Sequence, residues 1–258
     1  MMIHPTAVVH PTAEIAESAE IGPYSIVEEH VVIGEGTRVG PHVVVRRNTA
    51  VGKNCEIFQF ASIGERPQDL KYAEEDTRVI IGDHNVIREY VTVHRASVHG
   101  DGKTELGDHN FLMAYAHVAH DCKIGNHVIM ANGATLGGHI TIEDCAILGG
   151  LSAAHQFVRI GTCCIISGLT GIPQDVPPYM VAAGARARLY GLNVTGLKRH
   201  GFSEETVRSL KKAYRVLFRS RLPLSQAVQR VSDDEIASVP EVSHLLDFIK
   251  QSERGVCR

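Results

Sequence analysis

Residues 3–63 read IHPTAVVHPTAEIAESAEIGPYSIVEEHVVIGEGTRVGPHVVVRRNTAVGKNCEIFQFASI, and an aliphatic side chain returns in them at every sixth position. The series is Ile3, Val9, Ile15, Ile21, Val27, Ile33, Val39, Val45, Val51, Ile57 and Ile63, without a slip. Four residues after the aliphatic one stands something small, as at Ala7, Ala13, Ala19, Ser25, Thr37, Thr49, Cys55 and Ala61. A period of six fits neither the 3.6 of a helix nor the alternation of a two-layer sheet. It is the period of a hexapeptide β-solenoid: a short strand with its aliphatic residue inward, then a corner. Gly, Asn, Asp or Pro are the residues expected to take the turn conformations there.

Beyond Ile63 the phase breaks, resumes at Ile81, Ile87 and Val93, and breaks again. It then runs from Leu106 through Val118, Ile124, Leu136, Ile142 and Leu148 to Ile172, with Ala154 as a weak member. Three hexads make one triangular coil, so about 26 hexads give roughly nine coils stacked at the parallel-strand spacing. Near Ala183 the repeat stops, and Arg, Lys, Leu and Glu take over at helical spacing. The sequence therefore predicts an all-β parallel β-helix over residues 1–184 and an α-helical C-terminal domain over 185–258. Ser203 followed by Glu204 and Glu205 reads as an N-cap with acids in the first turn, opening a helix to about Phe218. Further helices are expected near 225–231 and 242–249.

Composition narrows the function. A net charge of -3 gives no general reason to expect a nucleic-acid partner. No basic segment followed by an apolar run opens the chain, and no stretch reaches the roughly 18 apolar residues of a membrane span. A cytoplasmic protein without stable membrane insertion is expected. The six cysteines, Cys55, Cys122, Cys145, Cys163, Cys164 and Cys257, show no CxxC pairing and read as reduced packing residues.

Counting three hexads per coil puts both phase breaks at the same corner. The hexads starting at Ile63 and Val93 fall on one face, one coil apart, so the loops at about 64–78 and 99–105 are neighbours. The same face continues through Val118, Leu136 and Ala154, whose hexads carry His120, His139 and His155, with His94 earlier. A line of histidines beside two loops is a candidate site, whereas His84, His109 and His127 share the fourth hexad position on another face and read as corner residues.

At this point several segments in order resemble one family. They are QDLKY at Gln68–Tyr72, AHVAHDCKIG at Ala116–Gly125, AHQF at Ala154–Phe157, QDVPPY at Gln174–Tyr179 and GLKRHGF at Gly196–Phe202. The chain resembles, over essentially its whole length, the UDP-N-acetylglucosamine O-acyltransferases that begin lipid A synthesis. The resemblance implies a left-handed β-helix, a homotrimer with active sites between prisms, and no cofactor or metal. It further implies transfer of a (3R)-3-hydroxyacyl chain from acyl carrier protein to the glucosamine 3-hydroxyl of UDP-N-acetylglucosamine.

By the same resemblance His120 is the general base, Asp121 orients it, and the backbone N–H of Gly138 stabilises the oxyanion. Asp69, Lys71, His94, His117, His139, His155, Gln156 and Asn193 match positions that hold the nucleotide sugar or line its pocket. Arg199 matches a phosphate- or carrier-facing position, and Gly168 the floor of the acyl groove. Asp69 could instead be a loop-capping carboxylate. The chain departs from the family's frequent second arginine after Arg199, where it has His200. The chemistry suits histidine, because an alcohol is a poor nucleophile at neutral pH and an imidazole can accept and return a proton there. Arg208, Lys211, Lys212 and Arg215 fall at i, i+3, i+4 and i+7, either a solvated helix face or a docking stripe for the acidic carrier protein.

Four other readings are weighed on the residues alone, one of them a non-catalytic structural solenoid, against which the histidines clustered beside two loops speak. A related N-acyltransferase shares the repeat but carries a uridine-binding domain ahead of it, for which hexads starting at Ile3 leave no room. An acetyl-CoA-dependent sugar acetyltransferase would not call for the helical tail. A hexapeptide carbonic anhydrase would bind zinc through three imidazoles across a subunit interface, drawn from His117 and His120 with His94 or His139.

Overall fold

In the computed structural model, which describes residues 2–258, each hexad forms a strand of two to four residues, and the strands fall into three parallel sheets. The first face runs Ile3, Ile21, Val39, Ile57, Ile87, Leu112, Met130, Leu148 and Ile166 through registered partners. The second runs Val9, Val27, Val45, Ile63, Val93, Val118, Leu136, Ala154 and Ile172. The third runs Ile15, Ile33, Val51, Ile81, Leu106, Ile124, Ile142 and Ile160. The chain is a left-handed parallel β-helix, and both loop insertions lie between the second and third faces, as the count of hexads required; the second spans 95–102 rather than 99–105, since Lys103–Leu106 is already a strand. From Ile21 onward these aliphatic side chains are buried and stack on their equivalents above and below, which makes the prism's interior one continuous core.

The small residue before each strand serves the core's polar edge. Ser25 Oγ donates to Gly40 O at 2.7 Å and accepts from Val43 N one coil on. Thr37 repeats this toward Gly52 O and Cys55 N. Asn85 and Asn110 continue the ladder, each accepting with its side-chain oxygen from the next coil's backbone. A buried polar atom without such a partner would cost about 1–3 kcal/mol.

The corners differ from expectation. From Ile21 to Ile166, outside the two loops, the third residue after the aliphatic one sits at positive φ, and it is often His, Tyr, Phe, Cys or Leu rather than Gly, Asn or Asp. A left-handed conformation costs a non-glycine residue of order 1 kcal/mol or more. Stacking offsets this: Tyr24, His42, Phe60, Tyr90 and Tyr115 form a ladder with ring centroids 4.9–5.2 Å apart, and His84, His109 and His127 form a second. The last three are corner residues, as their spacing suggested.

After Ile172 the chain closes the prism. Met180–Ala183 extends the first face, and Arg188–Leu192 turns back antiparallel on it, so the boundary expected at 184/185 falls inside a hairpin. The hexad phase hides this strand because antiparallel pairing needs no six-residue period. Helices follow at α1 (Val194–Arg199), α2 (Glu204–Tyr214), α3 (Leu224–Ser232) and α4 (Pro240–Lys250). Ser203 caps α2 by accepting from Thr206 N, and Arg215–Arg219 continues it as a π-helical turn. The short α1 has no counterpart in the sequence reading. The helices cover the last coils through α4: Arg159 lies 4.3 Å over the Phe248 ring, and His244 bridges Tyr179 Oη and Glu143. Among the described residues no helix is long and apolar enough to cross a membrane.

Candidate active site

The corner after the strand His117–Val118 carries Ala119, His120 and Asp121 in succession, and Asp121 takes the left-handed position at φ 60°. This turn bends the Asp121 carboxylate back beside the preceding imidazole. His120 Nδ1 donates to Asp121 Oδ2 at 2.7 Å, since an ionised carboxylate can only accept. The tautomer is thereby set, and Nε2 is left as the proton acceptor. Asp121 Oδ2 also accepts from Ser97 N at 3.0 Å and Ser97 Oγ at 2.8 Å, while Asp121 N donates to Thr104 Oγ1. Burial pushes the Asp121 carboxyl up, but the hydrogen bonds from His120 and Ser97 outweigh it and hold it below the usual range. Ser97 comes from the second loop, and nothing in its sequence context marked it.

One coil on, Gly138 lies directly over His120. A Cβ on Gly138 would stand 2.5 Å from the imidazole Cε1 and 2.6 Å from Nε2. Glycine is what leaves room for the ring. Gly138 N–H has no acceptor among the described residues, which leaves a donor beside the imidazole. His139 follows at φ 59°, edge-on to His120 with centroids 5.1 Å apart and stacked on Phe157 at 4.6 Å. Its Nε2 is 3.7 Å from Asp121 Oδ2. Burial lowers the His139 pKa.

One coil back, His94 and His117 meet edge to face at 4.8 Å, and Thr92 Oγ1 hydrogen-bonds His117 Nδ1 at 2.7 Å. Burial pushes the His94 imidazole down to about 4, and burial with the nearby His120 also lowers His117. Both are therefore neutral at pH 7, polar linings rather than cations. The histidines form two pairs, His94 with His117 and His120 with His139. Among the described residues at this edge, the side chains whose ligand atoms come within 4.8 Å of one another are His120, Asp121 and His139.

The shift at His94 carries a sign. The unfolded imidazole, with an ordinary pKa of about 6.5, binds a proton that the folded one refuses down to about 4. Stability contributed by neutral His94 is fully present above pH 6.5 and is lost as pH falls toward 4, up to about 3 kcal/mol in all. Urea midpoints measured from pH 7 to 4.5 should fall, and the His94→Gln variant should show a shallower fall. Equal slopes in the two proteins would refute this assignment.

The two loops form the site's wall. Arg95, nearly buried, donates from Nε to Tyr72 Oη at 2.8 Å and from Nη1 to Gly64 O, and so ties the second loop to the first. An open cleft of about 490 Å³ lies between the first loop and His94, lined by Gln68, Asp69 and Tyr72. Asp69 does cap its own loop, accepting from Lys71 N at 3.0 Å, and its charge also reaches His139, where it opposes only slightly the lowering of that pKa by burial. Lys71 is exposed on the same loop.

The remaining expected residues lie elsewhere on the chain. His155 and Gln156 are exposed one coil beyond His139, and His155 borders a basic cleft with Arg186, Arg188, Arg254 and Arg258. Asn193 is buried beside Cys163, at the corner between the third and first faces. Its Oδ1 caps α1 by accepting from Gly196 N, and its Nδ2 donates to Cys163 O, both at 2.9 Å. Asn193→Ala should cost about 1–2 kcal/mol of stability in urea unfolding, from a lost cap and an abandoned carbonyl. An unchanged midpoint would leave Asn193 with a binding role alone. Arg199 is exposed at the end of α1, and Gly168 is exposed at the corner between the first and second faces. In the cationic stripe Lys212 pairs with Asp234 at 2.8 Å, whereas Arg208, Lys211 and Arg215 face solvent without a carboxylate partner among the described residues.

Known proteins match this chain from end to end. Residues 175–257 match the family described as UDP N-acetylglucosamine O-acyltransferase, domain 2, and residues 103–138 match the bacterial transferase hexapeptide repeat. An acyl-[acyl-carrier-protein]–UDP-N-acetylglucosamine O-acyltransferase from Thermodesulfovibrio yellowstonii is 57% identical over 256 residues, covering 99% of each chain. The protein of the same name from Syntrophobacter fumaroxidans is 52% identical over 259 residues, covering all of both. Among solved structures, LpxA from Acinetobacter baumannii superposes with a TM-score of 0.97 at 44% identity, covering 100% of both chains. The UDP-N-acetylglucosamine acyltransferase of Francisella novicida gives 0.97 at 41%, covering 100% of this chain and 94% of that one. With identity at this level along its whole length, the chain belongs to the acyl-[acyl-carrier-protein]–UDP-N-acetylglucosamine O-acyltransferase family.

Proposed function

We propose that this chain transfers a (3R)-3-hydroxyacyl group from acyl carrier protein to the 3-hydroxyl of the glucosamine in UDP-N-acetylglucosamine, the first step of lipid A synthesis. The observation that carries the chemistry is the imidazole of His120, held by Asp121 at 2.7 Å under Gly138. His120 Nε2 takes the proton of the sugar hydroxyl as its oxygen attacks the thioester carbonyl carbon. The tetrahedral oxyanion is stabilised by the Gly138 N–H. Collapse breaks the C–S bond, and the imidazolium returns its proton to the departing thiolate, so the base is regenerated. Asp121, still ionised, stabilises the imidazolium in between.

Asp69, Lys71, His94, His117, His139, His155 and Gln156 are assigned to the nucleotide sugar and its pocket, joined by Asn193 and by Arg199 at its phosphate or the carrier. Gly168 is assigned to the floor of the acyl groove. These residues occupy all three edges of the prism, and one substrate cannot reach three edges of one chain. A homotrimer reconciles them, because copies around a shared axis set the edge of one against a different edge of the next. An exposed apolar strip supports this: Tyr24, Phe60, Tyr90, Tyr115, Leu151 and Leu169 line the corner between the first and second faces. Arg208, Lys211 and Arg215 are assigned to the acidic carrier protein. The proposed setting is the cytoplasm, where a nucleotide sugar and a carrier-bound acyl chain are both at hand.

The test is a transfer assay with purified protein, UDP-N-acetylglucosamine and 3-hydroxyacyl carrier proteins of graded length, alongside light scattering for the mass of three chains. Product from carrier-bound donors supports the reading and fixes the chain length. Product from acetyl-CoA alone, or none from any donor, would refute it.

A further inference from the structure

The corner between the third and first faces, on a different edge from His120 within one chain, carries a second ladder. After His84, His109 and His127 come Cys145 and Cys163, each three residues past the aliphatic member of its hexad, Ile142 and Ile160. Both cysteines take the left-handed corner conformation, with φ 60° and 54°, so their thiols stack on successive coils. The end of α1 then brings in His200. The sulfurs of Cys145 and Cys163 and a ring nitrogen of His200 all lie within 4.8 Å of one another, and the three side chains grade from buried Cys163 through half-buried Cys145 to exposed His200.

We propose that Cys145, Cys163 and His200 form a binding site for a soft, thiophilic cation of the Zn(II) or Cu(I) class.

Donor chemistry sets that class. Two cysteine sulfurs, thiols that give up their protons only on binding metal, and an imidazole select Zn(II) or Cu(I) over Mg(II) or Ca(II), which take oxygen ligands. Dimensions agree as well: zinc bonds sulfur at about 2.3 Å and imidazole nitrogen at about 2.0–2.1 Å, so the ligand atoms of a tetrahedral ion stand some 3.5–3.8 Å apart. Donors already within 4.8 Å close to that spacing by small side-chain adjustments. Three protein ligands with an exposed third member leave a fourth position for water.

The frame around the donors is fixed rather than loose. Cys145 N donates to Asn126 O at 2.8 Å and Cys163 N to Asp144 O at 2.9 Å, which holds both corners in the coil stack. Asn193 Nδ2 clamps the start of α1 to the carbonyl of Cys163, and His200 N closes the other end on Gly196 O at 3.0 Å. Stacked cysteines alone could equally serve a disulfide. The convergence of an imidazole on both sulfurs is what a disulfide does not need and a cation does.

The experiment titrates the reduced full-length protein anaerobically with Co(II), a spectroscopic stand-in for zinc, and then adds Zn(II). One equivalent should produce a sulfur-to-cobalt charge-transfer band that zinc abolishes. Cys145→Ser and Cys163→Ser should each remove the band, while Cys55→Ser, at a buried thiol elsewhere in the core, should retain it. His200→Gln, at an exposed position, should weaken binding by at least about tenfold, since even outer-shell partners of a metal are worth that much. Cobalt held by His120, Asp121 and His139 would give no sulfur band, so the two clusters are told apart. A wild-type protein without the band, a band that survives the cysteine substitutions, or unchanged affinity in His200→Gln would each overturn the proposal. So would a Cys145–Cys163 disulfide that persists under the reducing conditions used.

Discussion

His120→Ala should lower the rate of acyl transfer by roughly 10²- to 10⁴-fold, the usual worth of a general base, while leaving the fold intact. The imidazole is a corner side chain, 14% exposed, and contributes nothing to the aliphatic stack inside the prism. Its removal therefore strips the base without opening a core cavity. The nucleotide end of the substrate is assigned to other residues, so KM for the sugar should move far less than kcat. Asp121 would make a less clean test: its carboxylate also holds Ser97 N and Oγ, and substituting it would loosen the second loop together with the imidazole. Single-turnover rates of wild type and His120→Ala at saturating donor are the measurement. A variant within tenfold of wild type would mean that the proton leaves the sugar by another route.

The architecture was legible because a solenoid writes its contacts into its period. Each aliphatic residue meets its equivalent one coil away, so counting hexads predicted that Ile63, Val93, Val118, Leu136 and Ala154 share a face, and they pair in that order. The same arithmetic set His94, His120 and His139 on one edge beside both loops. It failed where contacts do not follow the period. Ser97 donates twice to Asp121 from inside an insertion, Arg95 ties the loops together, and α1 and the strand Arg188–Leu192 form after the repeat has ended. Corner composition departs from local propensity for a related reason. Propensity treats each turn alone and favours Gly, Asn or Asp, whereas in a stack a ring at every corner gains a partner above and below, as His84, His109 and His127 do at 4.7–4.9 Å. The roles assigned to His155, Asn193, Arg199 and Gly168 came through resemblance alone. Geometry within one chain sets them on different edges from His120, and their shared use by one substrate depends on neighbouring copies.

Gly138→Ala should cost at least about 100-fold in kcat with little change in stability, and it separates the imidazole's position from the oxyanion donor. The added methyl would lie 2.5 Å from His120 Cε1 and 2.6 Å from Nε2, nearer than non-bonded carbon and nitrogen atoms can stand. Something must move, and the ring is the softer side, because Gly138 belongs to a corner fixed by Phe157 N donating to its carbonyl at 3.0 Å. Swinging the ring aside strains or breaks its 2.7 Å bond to Asp121, and a displacement of about 1 Å from productive geometry is worth on the order of 100-fold. Backbone conformation does not oppose the substitution, since Gly138 is not among the residues at positive φ, so any stability change should stay within about 1 kcal/mol. Alanine keeps the backbone N–H, hence the oxyanion donor survives and the loss reports on the imidazole. Measured kcat and thermal midpoints of the two proteins decide the matter: near-normal turnover at an unchanged midpoint would show that the ring can leave its place without consequence, and would remove His120 from the chemistry.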